Sequence, residues 1–300
     1  MRILVTGVTG QVGNALAKRL GRLGDVVPAD RSVLNLAEPG TLPEALDRLS
    51  PDLILNPAAY TAVDRAEDER ELAFIVNGEA PGVIARWASR VHVPLVHFST
   101  DYVFDGQGET PSHEDSPPAP LSVYGASKLA GEEAIRAGNG PHLIVRTSWV
   151  YAAAGANFLR TIAHFACERT ELKVVADQIG APTAARVIAD TVASILAADS
   201  TNLPQRFARA NGLVNIAASG QTSWHGFAVR IVDGLRARGI ELAVQSIAPL
   251  RTEELPTRAK RPNNSRLDMT RLSDAFGLIT PSWTDSLEPE LDKLAREMRS

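Results

Sequence analysis

Tyr124 and Lys128 stand four residues apart in Tyr124-Gly-Ala-Ser-Lys128. On a helix that spacing stacks both side chains on one face, about one turn apart. A phenol is a poor acid or base at neutral pH because its free pKa is about 10. A fixed ammonium beside it stabilises the phenolate and lowers that pKa, which makes Tyr124 a usable proton carrier. Tyrosine and lysine at this spacing also occur on ordinary surface helices, so the pair gains meaning only from what accompanies it. Gly7-Val-Thr-Gly10-Gln-Val-Gly13 is that company. Gly7 permits a tight turn, Gly10 lets the backbone approach a pyrophosphate, and Gly13 lets a following helix pack close to its strand.

The elements that must position these groups alternate along the first half of the chain. Strand candidates are Ile3–Thr6, Val26–Ala29, Leu53–Asn56, Leu95–Ser99 and Leu143–Thr147, with helical segments Val12–Leu23, Leu42–Leu49, Asp64–Val91 and Ser122–Ala137 between them. Apolar strands alternating with helices predict an α/β fold, a doubly wound parallel sheet covered on both faces. After Val150 the rhythm changes. Helix Phe158–Arg169, strand-like Leu172–Val175, helix Val187–Ala198, strand Val214–Ala217, helix Ser223–Arg238, strand-like Ala243–Ile247 and terminal helices near Thr270–Phe276 and Trp283–Met298 suggest a smaller, interleaved α+β lobe. The expected division is 1–150 as a nucleotide-binding domain, with about 184–200 packing back on it. Residues 151–183 and 201–300 then form the second lobe.

Composition bounds the rest. A chain of 300 residues with 44% apolar and 22% charged residues reads as an ordinary soluble globular protein. A net charge of −4 gives no global pull toward nucleic acid or acidic membranes. The single cysteine, Cys167, excludes an internal disulfide and fits a reducing compartment. No signal peptide precedes the first strand and no apolar run is long enough to span a membrane, so a cytoplasmic protein is expected. The six histidines lack metal-ligand spacing, and no Cys/His cluster exists, so no metal site is expected from them.

The glycine cradle has the strand–turn–helix context that dinucleotide binding requires, with helix N–H groups and dipole facing the anion. Asp30 ends the second strand, where an acid would bond the adenosine ribose of NAD(H); a turn aspartate is its plain alternative. Arg31 beside it suits a 2′-phosphate, so NADH and NADPH both stay open. Asn35 and Leu36, after the second strand, are candidates to flank an adenine, although asparagine there is equally at home in a turn. Thr100 and Asp101 follow the strand Leu95–Ser99, at the carboxyl edge where such sheets hold their crevice. There a hydroxyl can bond a substrate oxygen and the Tyr124 phenol. Arg258-Ala-Lys-Arg-Pro-Asn-Asn-Ser-Arg266 carries four basic residues and no acid, and Arg261 is the candidate for a second pyrophosphate. Trp149 is placed toward the crevice, whereas Trp224 opens a helix and is expected to pack.

Together these motifs resemble the extended short-chain dehydrogenase/reductase family, and more narrowly its dTDP-4-dehydrorhamnose reductase branch. The resemblance rests on Thr6-Gly-Val-Thr-Gly-Gln-Val-Gly13, Asn56-Pro-Ala-Ala-Tyr-Thr-Ala-Val-Asp64, Ser99-Thr-Asp-Tyr-Val-Phe104 and Tyr124-Gly-Ala-Ser-Lys-Leu-Ala-Gly-Glu132. Arg146-Thr-Ser-Trp-Val-Tyr151, Asp177-Gln-Ile-Gly-Ala-Pro-Thr183 and Arg261-Pro-Asn-Asn-Ser265 are the segments that narrow it. It implies that Tyr124 protonates the C4 oxygen of a dTDP-sugar while NADPH or NADH delivers hydride to C4. Lys128 would hold the nicotinamide ribose, and Thr100 would complete the proton path. Gly7, Gly10, Gln11, Val12 and Gly13 match the pyrophosphate loop. Ala59, Tyr60, Thr61 and Phe98 match the cofactor lining, and Asp101, Trp149, Thr61 and Val63 reach toward the sugar. The family also implies Mg²⁺ and a homodimer built partly by acidic residues near the C-terminus. Here Glu288-Pro-Glu290-Leu-Asp-Lys-Leu-Ala-Arg-Glu297 mixes signs and offers no acid-for-acid match.

Two other readings remain open in the residues. A nucleotide-sugar epimerase or dehydratase of the same superfamily would purify with bound cofactor and show no net redox change. A non-catalytic nucleotide-binding regulatory subunit would have no use for the Thr100, Tyr124 and Lys128 set.

Overall fold

The structure, a computed structural model, describes residues 1–299. Six strands make the central parallel sheet: β1 (Arg2–Thr6), β2 (Asp25–Ala29), β3 (Leu53–Asn56), β4 (Leu95–Thr100), β5 (His142–Thr147) and β6 (Leu213–Asn215), in the spatial order β6-β5-β4-β3-β1-β2. Successive side chains of each strand enter opposite cores, as a two-residue period demands. Ile3, Val5, Leu53, Leu55, Val96 and Phe98 meet the helices Gln11–Leu20 and Ala185–Ala197 on one face. Leu4, Ile54, Leu95 and Ile144 meet Leu42–Leu49, Ala80–Arg90 and Val123–Ala137 on the other. Pro28, which has no N–H to give, lies in β2 at the sheet edge, where one side of the strand is unpaired.

A further core lies beyond Val150. Leu159 and Ile162 of the helix Phe158–Glu168 pack with Phe227, Ile231 and Leu235 of Trp224–Ala237 and with Leu287, Leu291 and Leu294 of Trp283–Arg299. Glu171–Val175 pairs in parallel with Ser246–Leu250. The extended segment expected at Ala243–Ile247 thus lies a few residues later. β6 falls within 201–300 yet joins the central sheet, and Leu272 of the helix Thr270–Phe276 packs on the Ile3–Val5 core. Those two segments belong with the first sheet rather than with the second lobe. Ser300 lies outside the described residues.

The expected helix Asp64–Val91 is broken into Val63–Ala66, Arg70–Phe74, a π-helical turn Ile75–Glu79 and Ala80–Arg90. Pro81 lacks the N–H that would bond the Asn77 carbonyl in an α-helix. The freed carbonyl faces the Val123–Ala137 helix so closely that a Cβ at Gly131 would lie 2.1 Å from it. The break therefore seats the helix that carries Tyr124 and Lys128. No helix among the described residues is long and apolar enough to cross a membrane.

Candidate active site

β1 ends in the cradle. Gly7 has φ +56°, and a Cβ at Gly13 would sit 2.2 Å from the Gly7 carbonyl oxygen, so glycine is required at both. Gly10 precedes the Gln11–Leu20 helix with no side-chain cap, which leaves the first helical N–H groups facing outward for an anion. Gln11 Oε1 is buried there without a partner among the described residues. The donor set and the space fit a dinucleotide pyrophosphate. Val12 is half-buried against the core beside it.

Other expected cofactor positions vary in how they are engaged. Asp30 spends Oδ1 on the Ser32 amide (2.8 Å) and hydroxyl (2.5 Å), and those bonds, the hydroxyl first, hold its carboxyl below the usual range. Arg31 is exposed beside it. Asn35 closes a local turn by accepting the Ala37 amide, and Leu36 is buried in the core with Leu4 and Ile54. Ala59 is half-buried and Thr61 exposed, while Tyr60 is held through its amide by Asn77 (2.8 Å) and through its hydroxyl by Glu69 (2.6 Å). The Phe98 ring lies in the core; only its carbonyl reaches the site.

At the carboxyl edge of β4 the candidate catalytic residues Thr100, Asp101 and Tyr124 come together. Thr100 donates to Asp101 Oδ1 (3.1 Å) and accepts the Tyr102 amide (3.2 Å), which fixes its hydroxyl. Tyr124 enters from the first turn of the Val123–Ala137 helix, which Ser122 caps through the Gly125 amide. The Tyr102 and Tyr124 rings meet edge to face at 5.5 Å. Burial pushes the Tyr124 phenol above its usual range, while a Thr100 hydrogen bond pulls it the other way. Burial likewise lifts Asp101 to about 6, against hydrogen bonds from Ser265 and Thr100. Asp101 Oδ2 has no hydrogen-bond partner among the described residues, nor have the buried hydroxyls of Ser99, Thr147 and Ser148.

Lys128 departs from expectation. Its ammonium donates to the Phe98 carbonyl at 2.6 Å and lies 3.2 Å from His97 Nε2, so it does not rest against the phenol. Burial holds Lys128 down at about 8, and the Glu132 charge opposes that shift. Glu132 follows Lys128 by another four residues and makes a buried two-pronged pair with Arg146 of β5, at 2.8 and 2.6 Å. The helix face reading Tyr124, Lys128, Glu132 is thus anchored to the sheet at its far end.

The segment around Arg261 closes the crevice from the other side. Arg261 pairs with Asp64 (2.6 Å), Arg258 pairs with Asp68, and the Ala259 amide donates to Asp64 (3.1 Å). Arg261 Nε is buried without a partner among the described residues, and burial pushes the Tyr102 phenol up while the Arg261 charge opposes that shift. Val63, next to Asp64, is half-buried. Trp149 has φ +49° and is stacked on Trp224 at 3.6 Å and 12°, so the two indoles form one slab rather than having separate tasks.

Four acids of the terminal helix, Glu288, Glu290, Asp292 and Glu297, are committed to cations, and Asp285 accepts the Ser282 hydroxyl. Glu288 meets Arg230 and Arg238, Glu297 meets Arg160, and Glu290 takes Lys293 and the Ala153 amide with Arg186 alongside. Among the described residues no three or more His, Cys, Asp or Glu gather to hold a metal. These residues do not fit a Mg²⁺ ion.

Reading the residue types left out His97, Asn56, Tyr102, Asp64 and Asn77 as parts of this site. Only His97 carried a local signal, as one basic residue inside an otherwise apolar buried strand.

Comparison with known proteins places this geometry in a family. The family profile "RmlD substrate binding domain" matches residues 1–296. A dTDP-4-dehydrorhamnose reductase of Burkholderia thailandensis is 49% identical over 287 residues, covering 94% of this chain and 95% of that protein. One from Escherichia coli K12 is 40% identical, covering 98% of each chain. Among solved structures, a dTDP-4-dehydrorhamnose reductase of Bacillus anthracis in complex with NADP is 34% identical, with a TM-score of 0.88 over 97% of this chain and 99% of that one. A UDP-glucose 4-epimerase of Thermus thermophilus in complex with NAD, 19% identical with a TM-score of 0.78 over 99% of each chain, shares the fold. The chain belongs to the RmlD family, the family of the dTDP-4-dehydrorhamnose reductases.

Proposed function

We propose that the protein reduces the C4 ketone of dTDP-4-dehydro-L-rhamnose to dTDP-L-rhamnose with NADPH or NADH. The observation that carries this reading is the cluster of buried Thr100 and Asp101 with half-buried Tyr124 at the edge of a sheet whose first turn is a dinucleotide cradle. The reduced nicotinamide, when bound, supplies the hydride. The protein must supply a proton to the oxygen on which charge builds. Tyr124 holds a proton at neutral pH as any phenol does, and burial raises its pKa further. Its acidity is brought nearer to that of the alcohol it forms. By turning its one O–H from Asp101 Oδ1 to the phenolate, Thr100 would steady the charge that remains.

Lys128, held at the Phe98 carbonyl, would meet the nicotinamide ribose, with Gly7, Gly10, Gln11, Val12 and Gly13 around the pyrophosphate. Asp30, Arg31, Asn35, Leu36, Ala59, Tyr60, Thr61 and Phe98 complete the proposed cofactor boundary. The orphaned Asp101 Oδ2 and Arg261 Nε offer polar atoms for the sugar and its diphosphate, with Trp149 and Val63 alongside. Binding energy from the dTDP portion would hold C4 in place. In this reading residues 1–150 with 184–217 hold the cofactor and most of the remainder holds the nucleotide sugar, in the cytoplasm.

The test mixes purified protein, the dTDP-ketosugar and each nicotinamide in turn, and follows loss of reduced-nicotinamide absorbance. Stoichiometric consumption is expected; none with either cofactor refutes the reading. Tyr124→Phe should lose about 100-fold or more in rate while retaining cofactor binding.

A further inference from the structure

Lys128 and His97 meet inside the protein, 2% and 0% exposed, with Nζ and Nε2 3.2 Å apart. The imidazole is neutral, because burial first and the neighbouring ammonium second push its pKa well below 6.5. Its other nitrogen, Nδ1, lies 3.2 Å from Asn56 Nδ2, and Asn56 Oδ1 accepts the Thr6 hydroxyl at 2.6 Å. The row is built by register. Asn56 of β3 stands opposite His97 of β4, and Thr6, which ends β1, adjoins Gly7 of the cradle.

A neutral imidazole has one N–H and one lone pair, so its two neighbours cannot be chosen independently. When Lys128 is charged it donates to Nε2. The imidazole proton then sits on Nδ1, Asn56 must present Oδ1 to it, and Asn56 Nδ2 turns to the Thr6 hydroxyl. When Lys128 is an amine, Nε2–H donates to its lone pair, and Nδ1 accepts from Asn56 Nδ2. Thr6 then donates to Oδ1, which is the arrangement of Asn56 in the structure. A hydroxyl can serve either way: Thr6 Oγ1 already accepts the Ala58 amide at 3.2 Å, and its second lone pair can take Asn56 Nδ2.

We propose that His97 is a positioning residue for Lys128. The His97 tautomer, coupled through Asn56 to Thr6 across three strands, changes with the proton on Lys128 and ties the lysine to the strand end that carries the cradle. The groups around Lys128 are few. His97 faces it from β4, Tyr124 and Glu132 lie on its own helix, Asp101 stands in the turn after β4, and Arg146 of β5 is bound to Glu132. From the Ile75–Glu79 turn, neutral Asn77 reaches Ser127. Of these, only His97 is hydrogen-bonded to Lys128 by a side chain. An apolar residue would fill the strand interior as its neighbours do, so the imidazole is accounted for by its bond to the lysine.

The first test needs no substrate and no variant. Imidazole-nitrogen NMR of the ligand-free protein should show neutral His97 with its proton on Nδ1 at pH 6.5 or so. It should pass to the Nε2–H tautomer with a midpoint near that of Lys128, about 8. One tautomer throughout the range from about pH 6.5 to about 9.5 overturns the proposal.

The second test compares His97→Leu with His97→Gln, whose amide oxygen can still accept from the ammonium. In the leucine variant the alkaline limb of NADPH binding, and of kcat/KM, should move down by about one pH unit, because a buried ammonium loses an acceptor. Glutamine should restore most of it. An unmoved limb in His97→Leu, or no rescue by glutamine, refutes the positioning role. The kcat/KM readout rests on the reductase reading, whereas NMR and NADPH binding do not. Wild-type protein that binds NADPH yet leaves the ketosugar unreduced would therefore fail that reading alone.

Discussion

Replacing Asp101 with asparagine should make the protein more stable and less active. Asp101 is 3% exposed, and its pKa stands at about 6 instead of 3.8. Between those values the folded protein retains a proton that the unfolded chain has released. The favourable contribution is therefore complete below pH 3.8 and is lost as pH rises through about 6. At about 1.4 kcal/mol per pH unit, ionised Asp101 costs the native state about 3 kcal/mol at neutral pH. Asparagine has nearly the same shape, carries no charge, and keeps an oxygen for the Thr100 hydroxyl, now 3.1 Å from Oδ1. Urea titrations across a pH series should show Asp101→Asn ahead by about 3 kcal/mol at pH 7, narrowing to nothing near pH 3.8. On the proposed function the rate should also fall about tenfold or more, because the charged acceptor assigned to the sugar becomes an amide. Equal stability at pH 7, or a gain that does not change with pH, would refute the burial reasoning.

Three further outcomes follow from contacts already described. Glu132→Gln strips the buried Arg146 of its counter-charge and should destabilise the fold by about 3–5 kcal/mol in urea titrations. Gly13→Ala forces a Cβ to within 2.2 Å of the Gly7 oxygen; the required backbone shift should weaken NADPH binding about tenfold or more, read by fluorescence titration. Arg261→Lys keeps the charge and the Asp64 pairing but loses the planar fork, so KM for the dTDP-sugar should rise about tenfold with kcat little changed.

The central sheet was legible in the residues because its inner strands are buried on both faces and read as continuous apolar runs. Leu53–Asn56 is such a run and matches its strand end for end. Tyr124, Lys128 and Thr100 were legible because helix spacing and strand ends are local properties. The break at Ile75–Glu79 was not, since it depends on Pro81 together with a helix that begins at Val123. Asp30 reads as a ribose acid by position, but only the fold shows how much of its carboxylate Ser32 already occupies. Arg261 reads as a free cation because Asp64, which holds it, lies 197 residues away. His97 shows as a lone basic residue in an apolar strand, but its task is hidden for the same reason. A histidine in a strand has no periodicity of its own, and its partners Asn56 and Lys128 lie 41 and 31 residues off.

The interleaving of the cores has a consequence for how the protein is made. Among the described residues the chain passes between the Ile3–Val5 core and the Leu159–Phe227 core after Val150, Val187, Ile216, Ile247 and Leu278. Neither core is contiguous, and each receives its last contribution late: Leu272 in the first, Leu287, Leu291 and Leu294 in the second. During synthesis both must wait, partly open, until those helices clear the ribosome, so neither can mature as an independent module while the other is still being translated. The same weaving means that no single recombination point exchanges one core and leaves the other whole. An exchange of one half of the molecule for another would therefore have to cut both cores at once.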